Sequence, residues 1–149
     1  MKLIVQRVKK ASILINSNVI AKINEGLVIF VGITLKDNND TMEWITNKIV
    51  NLRIFNDEQG KMNRSILDIE NGGLLIVSNF TIYGDCKKGY RPSYSEAANS
   101  EFANKYFNDF LTFIKNKWSD KLIIENGIFG ANMQIELIND GPVTIIIDK

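Results

Sequence analysis

The chain has 149 residues, 45% hydrophobic and 23% charged, with a formal net charge of +1; this fits one globular domain with a sizeable core and neither demands nor forbids a nucleic-acid partner. It contains no histidine and a single cysteine, Cys86, which removes Ser-His-Asp and Cys-His catalysis in their usual forms, an internal disulfide and every common structural zinc pattern. In an enzyme of this composition, proton transfers run through carboxylates, lysine, tyrosine, water or the substrate itself, and no metal or other cofactor is expected.

Short β-type runs dominate the first third: Leu3 to Val8, Ser12 to Ile15, Val19 to Ile23 and Leu27 to Ile33, with Asn16-Ser17-Asn18 as a hairpin turn. The longest apolar stretch, Gly26 to Ile33, is about half of what a membrane-spanning helix needs. No secretory signal precedes the first strand, so a cytoplasmic protein without membrane contact is expected. After a polar loop, Asp37 to Asp40, with a helix N-cap candidate, Met42, Ile45, Ile49 and Leu52 form one apolar helical stripe. A buried-type strand is predicted over Leu74 to Tyr83, turning polar halfway along. A second helix starts near Asn99 or Ser100, with Ala103, Tyr106, Phe107, Phe110, Ile114 and Trp118 along one side. Strands return at Leu122 to Glu125, Met133 to Ile138 and Val143 to Ile147. This order predicts a single α+β domain over residues 1–149, its mostly antiparallel sheet curled into a partly closed barrel with two packed helices.

Both prolines lie in short polar motifs. Gly141-Pro142 interrupts two strand-like runs where a proline costs a ladder hydrogen bond, so pairing is expected to break there. An X-Pro bond is the one peptide bond that adopts cis at modest cost, and such a turn can aim two backbone carbonyls at a ligand; a plain tight turn explains the pair equally well. Asp140 reads as turn chemistry, not as a general base.

Ser78-Asn79-Phe80-Thr81 stands at the end of the apolar strand. Strand alternation puts Ser78 and Phe80 on one face and Asn79 and Thr81 on the other. Such a strand end can offer hydroxyl and N–H donors to an oxyanion, yet no neighbouring base is nominated. The loop Tyr83 to Tyr94 interleaves Lys87, Lys88 and Arg91 with three tyrosines, a combination that suits the phosphates and unstacked bases of a single-stranded RNA end as well as a solvated loop.

Six segments taken in order, Val5-Gln6-Arg7-Val8 with Ala11-Ser12, Arg53-Ile54-Phe55 through Gly60-Lys61-Met62-Asn63, Val77 to Thr81, Arg91-Pro92-Ser93, Phe129 to Met133, and Asn139 to Thr144, resemble the D-aminoacyl-tRNA deacylase family over essentially the whole chain. The resemblance implies a homodimer that hydrolyses the ester between a D-amino acid, or glycine, and the 3′ end of tRNA, and spares L-aminoacyl-tRNA. It further implies that Gly141-Pro142 is cis and reaches into the partner subunit's pocket, its carbonyls holding the substrate amino group while excluding an L side chain. Met133 would line that pocket, although it reads equally as core. Backbone N–H groups near Phe80 and the Thr81 hydroxyl would be oxyanion donors, with Thr81 also a candidate nucleophile. The favoured version has the terminal ribose 2′-hydroxyl assist attack by water, which needs no protein base. Ser78 and Asn79 complete the motif, where Asn79 is one methylene shorter than the family's glutamine. Arg7 matches the family arginine; it would anchor the Gly-Pro segment of the other subunit, and it favours the D-specific branch over a related L-alanine-specific one. Two further readings are an esterase or amidase acting through Thr81 or Ser78, and a non-enzymatic RNA-binding barrel using the Lys87 to Tyr94 loop.

Overall fold

The computed structural model describes residues 1–149. Strand β1 (Lys2–Ile15) organises the sheet. Its first half pairs antiparallel with β3 (Gly26–Gly32), its second half with β2 (Asn18–Ile23), and its whole length with β8 (Gln134–Asp148). The two strands expected between Leu3 and Ile15 are thus one continuous strand: Lys9-Lys10 is exposed, and after a register shift at Lys9 the strand resumes pairing with β8 at Lys10–Ile138. Asn16 and Ser17 adopt positive φ (49° and 64°) in the β1–β2 hairpin, as a two-residue turn that matches strand twist requires.

Beyond β3 the sheet continues through parallel neighbours β6 (Gly73–Ser78) and β7 (Ile123–Asn126). It curls so that β2 approaches β6: a side chain on Gly73 would meet Ile23 at 2.7 Å, and one on Gly26 would overlap the Gly73 carbonyl. Glycine at these two positions lets the curled backbones close toward a barrel. A short hairpin of β4 (Phe55–Asn56) and β5 (Met62–Arg64) stands apart.

Helices α1 (Asn39–Asn51) and α2 (Ser100–Trp118) cover one face. Each starts at an asparagine cap: Asn38 accepts from Thr41 N–H and Asn99 from Phe102 N–H. Their apolar stripes, Met42, Ile45 and Ile49 on α1 and Ala103, Phe107, Phe110 and Ile114 on α2, pack on Leu3, Val5, Ile29 and Ile76 in the principal core. A smaller cluster, with Val8, Ile13, Val28 and Val77, fills the curled interior on the sheet's other face. The predicted α+β class and the two sheet-packed helices match this architecture.

Two expected elements differ. The strand forecast over Leu74 to Tyr83 ends at Ser78, and Phe80–Tyr83 forms a 3₁₀ turn. Met133 to Ile138 and Val143 to Ile147 belong to one strand, β8, whose pairing is interrupted opposite Arg7.

Thr46 on α1 is fully buried and its hydroxyl has no hydrogen-bond partner. Thr46→Val keeps the branched shape and removes that unpaired group, so it should raise unfolding stability by about 1 kcal/mol in urea titrations.

Candidate active site

The C-terminal ends of β3 and β6 open into a cavity of about 530 Å³. Its walls come from four places: Val31 and Ile33 at the end of β3, Ser78, Asn79 and Phe80 at the end of β6, Ala98, Ser100 and Ala103 around the start of α2, and the Phe129 to Met133 segment. No Asp, Glu, Lys or Arg lines it. No tyrosine lines it either; away from the wall, burial pushes the Tyr83 hydroxyl upward from its ordinary range, with Asp37 adding to the effect, and does the same at Tyr106. No cluster of three or more His, Cys, Asp or Glu side chains converges anywhere in the chain.

Asn79 shapes the entrance. Its Oδ1 accepts from Thr81 N–H at 3.0 Å and from the Thr81 hydroxyl at 2.6 Å. These bonds turn the chain out of the strand into the 3₁₀ turn, so the strand-alternation reading of Ser78 to Thr81 is overturned. Of the four motif residues, Ser78, Asn79 and Phe80 line the cavity, whereas Thr81 does not, its hydroxyl proton being directed to Asn79. Phe80 heads the turn, and an amide in that position has no acceptor within the turn itself. Its ring is 58% exposed and meets Tyr94 edge-on, with centroids 5.0 Å apart. Met133 is half-buried in the cavity wall, and a Cβ at Gly127 would stand 2.5 Å from its sulfur. Lys87, Lys88 and Arg91 are all exposed, on a loop closed by the Asp85–Ser93 bridge and free of ion pairs.

The Gly-Pro motif lies elsewhere. Neither Gly141 nor Pro142 lines the cavity. Register pairs β1 to β8 at Gln6–Thr144 and next at Val8–Asn139, so residues 140–143 bulge opposite Arg7. Arg7 in turn pairs with Leu27, four residues along β3 from cavity residue Val31, a separation of about 13 Å. The Gly141-Pro142 bond is cis, and both residues are exposed.

The bulge is held from beneath. Arg7 is only 5% exposed; its Nη1 donates to the Ile54 carbonyl and reaches Asn56 Oδ1 at 3.5 Å. Its Nε lies 2.9 Å from Asp140 Oδ2, but the N–H does not point along that line, so the contact is an ion pair and not an aligned hydrogen bond. Lys9 approaches the same carboxylate at 3.3 Å. Asn139 clamps both ends of the bulge, its Nδ2 donating to the carbonyls of Arg7 (2.9 Å) and Val143 (3.1 Å). Within one chain, therefore, Arg7 supports its own Gly-Pro segment. Sequence reasoning missed the Asn139 clamp and the small residues Ala98, Ser100 and Ala103. An Asn-Asp pair beside Gly-Pro is the signal for the first, and small residues flanking an Asn cap are the signal for the others.

Gly141 has φ +124°, and a Cβ there would stand 2.9 Å from Arg7 Nη2; Gly130, at φ +73°, faces open space. Gly141→Ala should cost about 1–3 kcal/mol of unfolding stability in urea, and more than Gly130→Ala.

Comparison with known proteins agrees with the geometry. A protein of Dictyoglomus turgidum named D-aminoacyl-tRNA deacylase is 50% identical over 148 residues, covering 99% of this chain and 92% of that protein. One of the same name from Thermosipho africanus is 49% identical over 149 residues, covering 100% and 97%. Among solved structures, a c-Myc DNA unwinding element binding protein superposes with a TM-score of 0.92 at 37% identity, covering 100% of this chain and 99% of that one. A probable eukaryotic D-amino acid tRNA deacylase superposes at 0.82 over 99% and 98%, and at 14% identity it speaks to the fold alone. With the model of the D-Tyr-tRNA(Tyr) deacylase family matching residues 4–148, the chain belongs to that family.

Proposed function

We propose that this protein is a D-aminoacyl-tRNA deacylase, hydrolysing the ester that joins a D-amino acid, or glycine, to the tRNA 3′ end. The observation that carries this reading is a cavity at a strand end with no ionisable side chain in its wall. A site of that kind recognises by shape and by backbone dipoles, and the reactants must supply the base. The tRNA 2′-hydroxyl beside the ester is such a group: it assists attack of water on the carbonyl carbon, and the ester oxygen leaves with the tRNA. The Phe80 N–H, first in its turn, is the donor for the carbonyl oxygen as it becomes an oxyanion. Thr81 is neither nucleophile nor oxyanion donor in this reading, because Asn79 holds its proton.

Asn79 performs this capping although it is shorter than the glutamine expected from the family resemblance. Ser78 and Met133 shape the wall. Lys87, Lys88 and Arg91 meet phosphates near the 3′ end, and the exposed Phe80 ring with Tyr94 offers a stacking face for a base.

Chiral selection falls to Gly141-Pro142, whose carbonyls meet the substrate amino group and leave no room for an L side chain. One chain keeps this segment out of the cavity, so the complete site takes two copies, each presenting its Gly-Pro bulge to the other's cavity. An apolar row fits that assembly: Ile146, 69% exposed, stands across from Ile4, which stands across from Phe30 on the sheet face away from the helices. Arg7, Asp140 and Asn139 position the bulge. On this reading the site of action is the compartment that holds aminoacyl-tRNA, and the cytoplasm is the proposed location.

Purified protein should release D-tyrosine from D-tyrosyl-tRNA at least about a hundredfold faster than L-tyrosine from the matched L-ester; equal rates would refute chiral selection. Phe80→Pro removes the amide proton at a position where proline is tolerated, following Asn79 in extended conformation. Its kcat should fall about 10²–10³-fold below that of Phe80→Ala. Thr81→Ala should lose less than about tenfold, far short of the loss when a general base is removed. Ile146→Asp should sediment as a monomer and lose activity; an active monomer would exclude the shared site.

A further inference from the structure

The helical face carries a concentration of positive charge that the site leaves unused. Lys48 and Lys149 hold their ammonium groups 5.0 and 5.2 Å from the centre of the Trp44 ring. Lys117 on α2 and Lys121 in the turn that follows it lie 6.0 and 5.9 Å from the Trp118 ring. Lys117 also donates to Asn47 Oδ1 at 2.9 Å, which joins the two groups across the α1–α2 seam. None of these four lysines belongs to an ion pair, and Asp148, beside Lys149, is engaged by Lys2 at 3.4 Å. An aromatic face attracts an ammonium group and restricts its stem without cancelling its charge, so the seam presents four ammonium groups without ion-pair partners, Lys48 on α1 and Lys117 on α2 among them.

The row of lysines continues toward the cavity. Lys149 N–H donates to the Met1 carbonyl at 3.0 Å, and the neighbouring Lys2 ammonium caps the Tyr83 ring at 5.1 Å. Tyr83 closes the 3₁₀ turn that begins with Phe80. Lysine side chains are therefore spaced from the turn, across the sheet end, onto the helices, with Lys2 shared between the Tyr83 ring and Asp148.

We propose that the α1–α2 seam docks the phosphate backbone of the substrate tRNA outside its 3′ end. The inference rests on the deacylase reading, since a tRNA whose terminal ester occupies the cavity must lay its remaining polyanion across the protein. Phosphates are the complementary partner because each lysine keeps N–H donors free while its ring holds the stem.

The test compares Lys48→Ala/Lys117→Ala with a control of equal charge change off the seam, Lys22→Ala/Lys61→Ala, on D-tyrosyl-tRNA and on the D-tyrosyl ester of a trinucleotide. The seam variant should raise KM for the full tRNA about tenfold near 0.1 M salt and lower the salt slope of log KM by about 1–2. Its rate on the trinucleotide ester should stay within about twofold of the unsubstituted protein, and Lys48→Arg/Lys117→Arg should restore the full-tRNA KM. An unchanged KM, an equal loss in the control, or an equal loss on the trinucleotide ester overturns the proposal. Filter binding of uncharged tRNA by the same variants separates the two readings. If the unsubstituted protein hydrolyses neither ester, the deacylase reading fails, and seam docking then stands or falls on whether the seam variant binds tRNA more weakly than the control.

Discussion

A guanidinium taken out of water must find partners for its donors and its charge, and Arg7, 5% exposed in the middle of β1, imposes that requirement on two other parts of the chain. It draws in the Ile54 carbonyl and Asn56 from the segment after α1, and the Asp140 carboxylate from β8. The strand opposite can satisfy this only by leaving regular register, which is where the bulge carrying Gly141-Pro142 forms. Asn139 closes the bulge by bonding a carbonyl on each side. The segment proposed to judge substrate chirality is thus fixed by a buried charge beneath it and an amide clamp at its base, with its outer surface left exposed.

The cavity follows the opposite design. Its wall is neutral, so it positions no base; what it offers is volume, a turn and the amide at the head of that turn. This suits a substrate that brings its own hydroxyl next to the scissile ester. The proposed reading matches a chain without histidine: it assigns discrimination and catalysis to backbone groups, which do not titrate.

Much of the architecture was legible because amphipathic spacing is a direct record of burial. The stripes Met42-Ile45-Ile49 and Ala103-Phe107-Phe110-Ile114 define the packed faces of both helices, and asparagine caps mark their starts. The 3₁₀ turn was not legible, because Phe80 and Ile82 continue the apolar pattern of β6 and only the local bonds of the Asn79 side chain divert the backbone. The continuity of β1 escaped for a related reason: Lys9-Lys10 reads as a break, yet backbone pairing to β8 passes through it. Gly141-Pro142 stood out as an interruption from spacing alone, whereas the reason for its position, Arg7 more than a hundred residues earlier, is a long-range contact that no local pattern encodes. The motif residues Ser78, Asn79, Phe80 and Met133 do meet around one cavity; Thr81, named with them, turns aside to donate to the Asn79 cap.

The central claim is that cavity and Gly-Pro bulge act together only across two copies of the chain, and subunit complementation tests it most directly. Phe80→Pro disables the cavity and Gly141→Ala displaces the bulge. Co-assembled at random, the two variants form about half mixed dimers, each with one intact composite site, so D-tyrosyl-tRNA hydrolysis should recover to about one quarter of the unsubstituted rate. A mixture no more active than either variant alone would contradict the shared site and place both functions within a single chain.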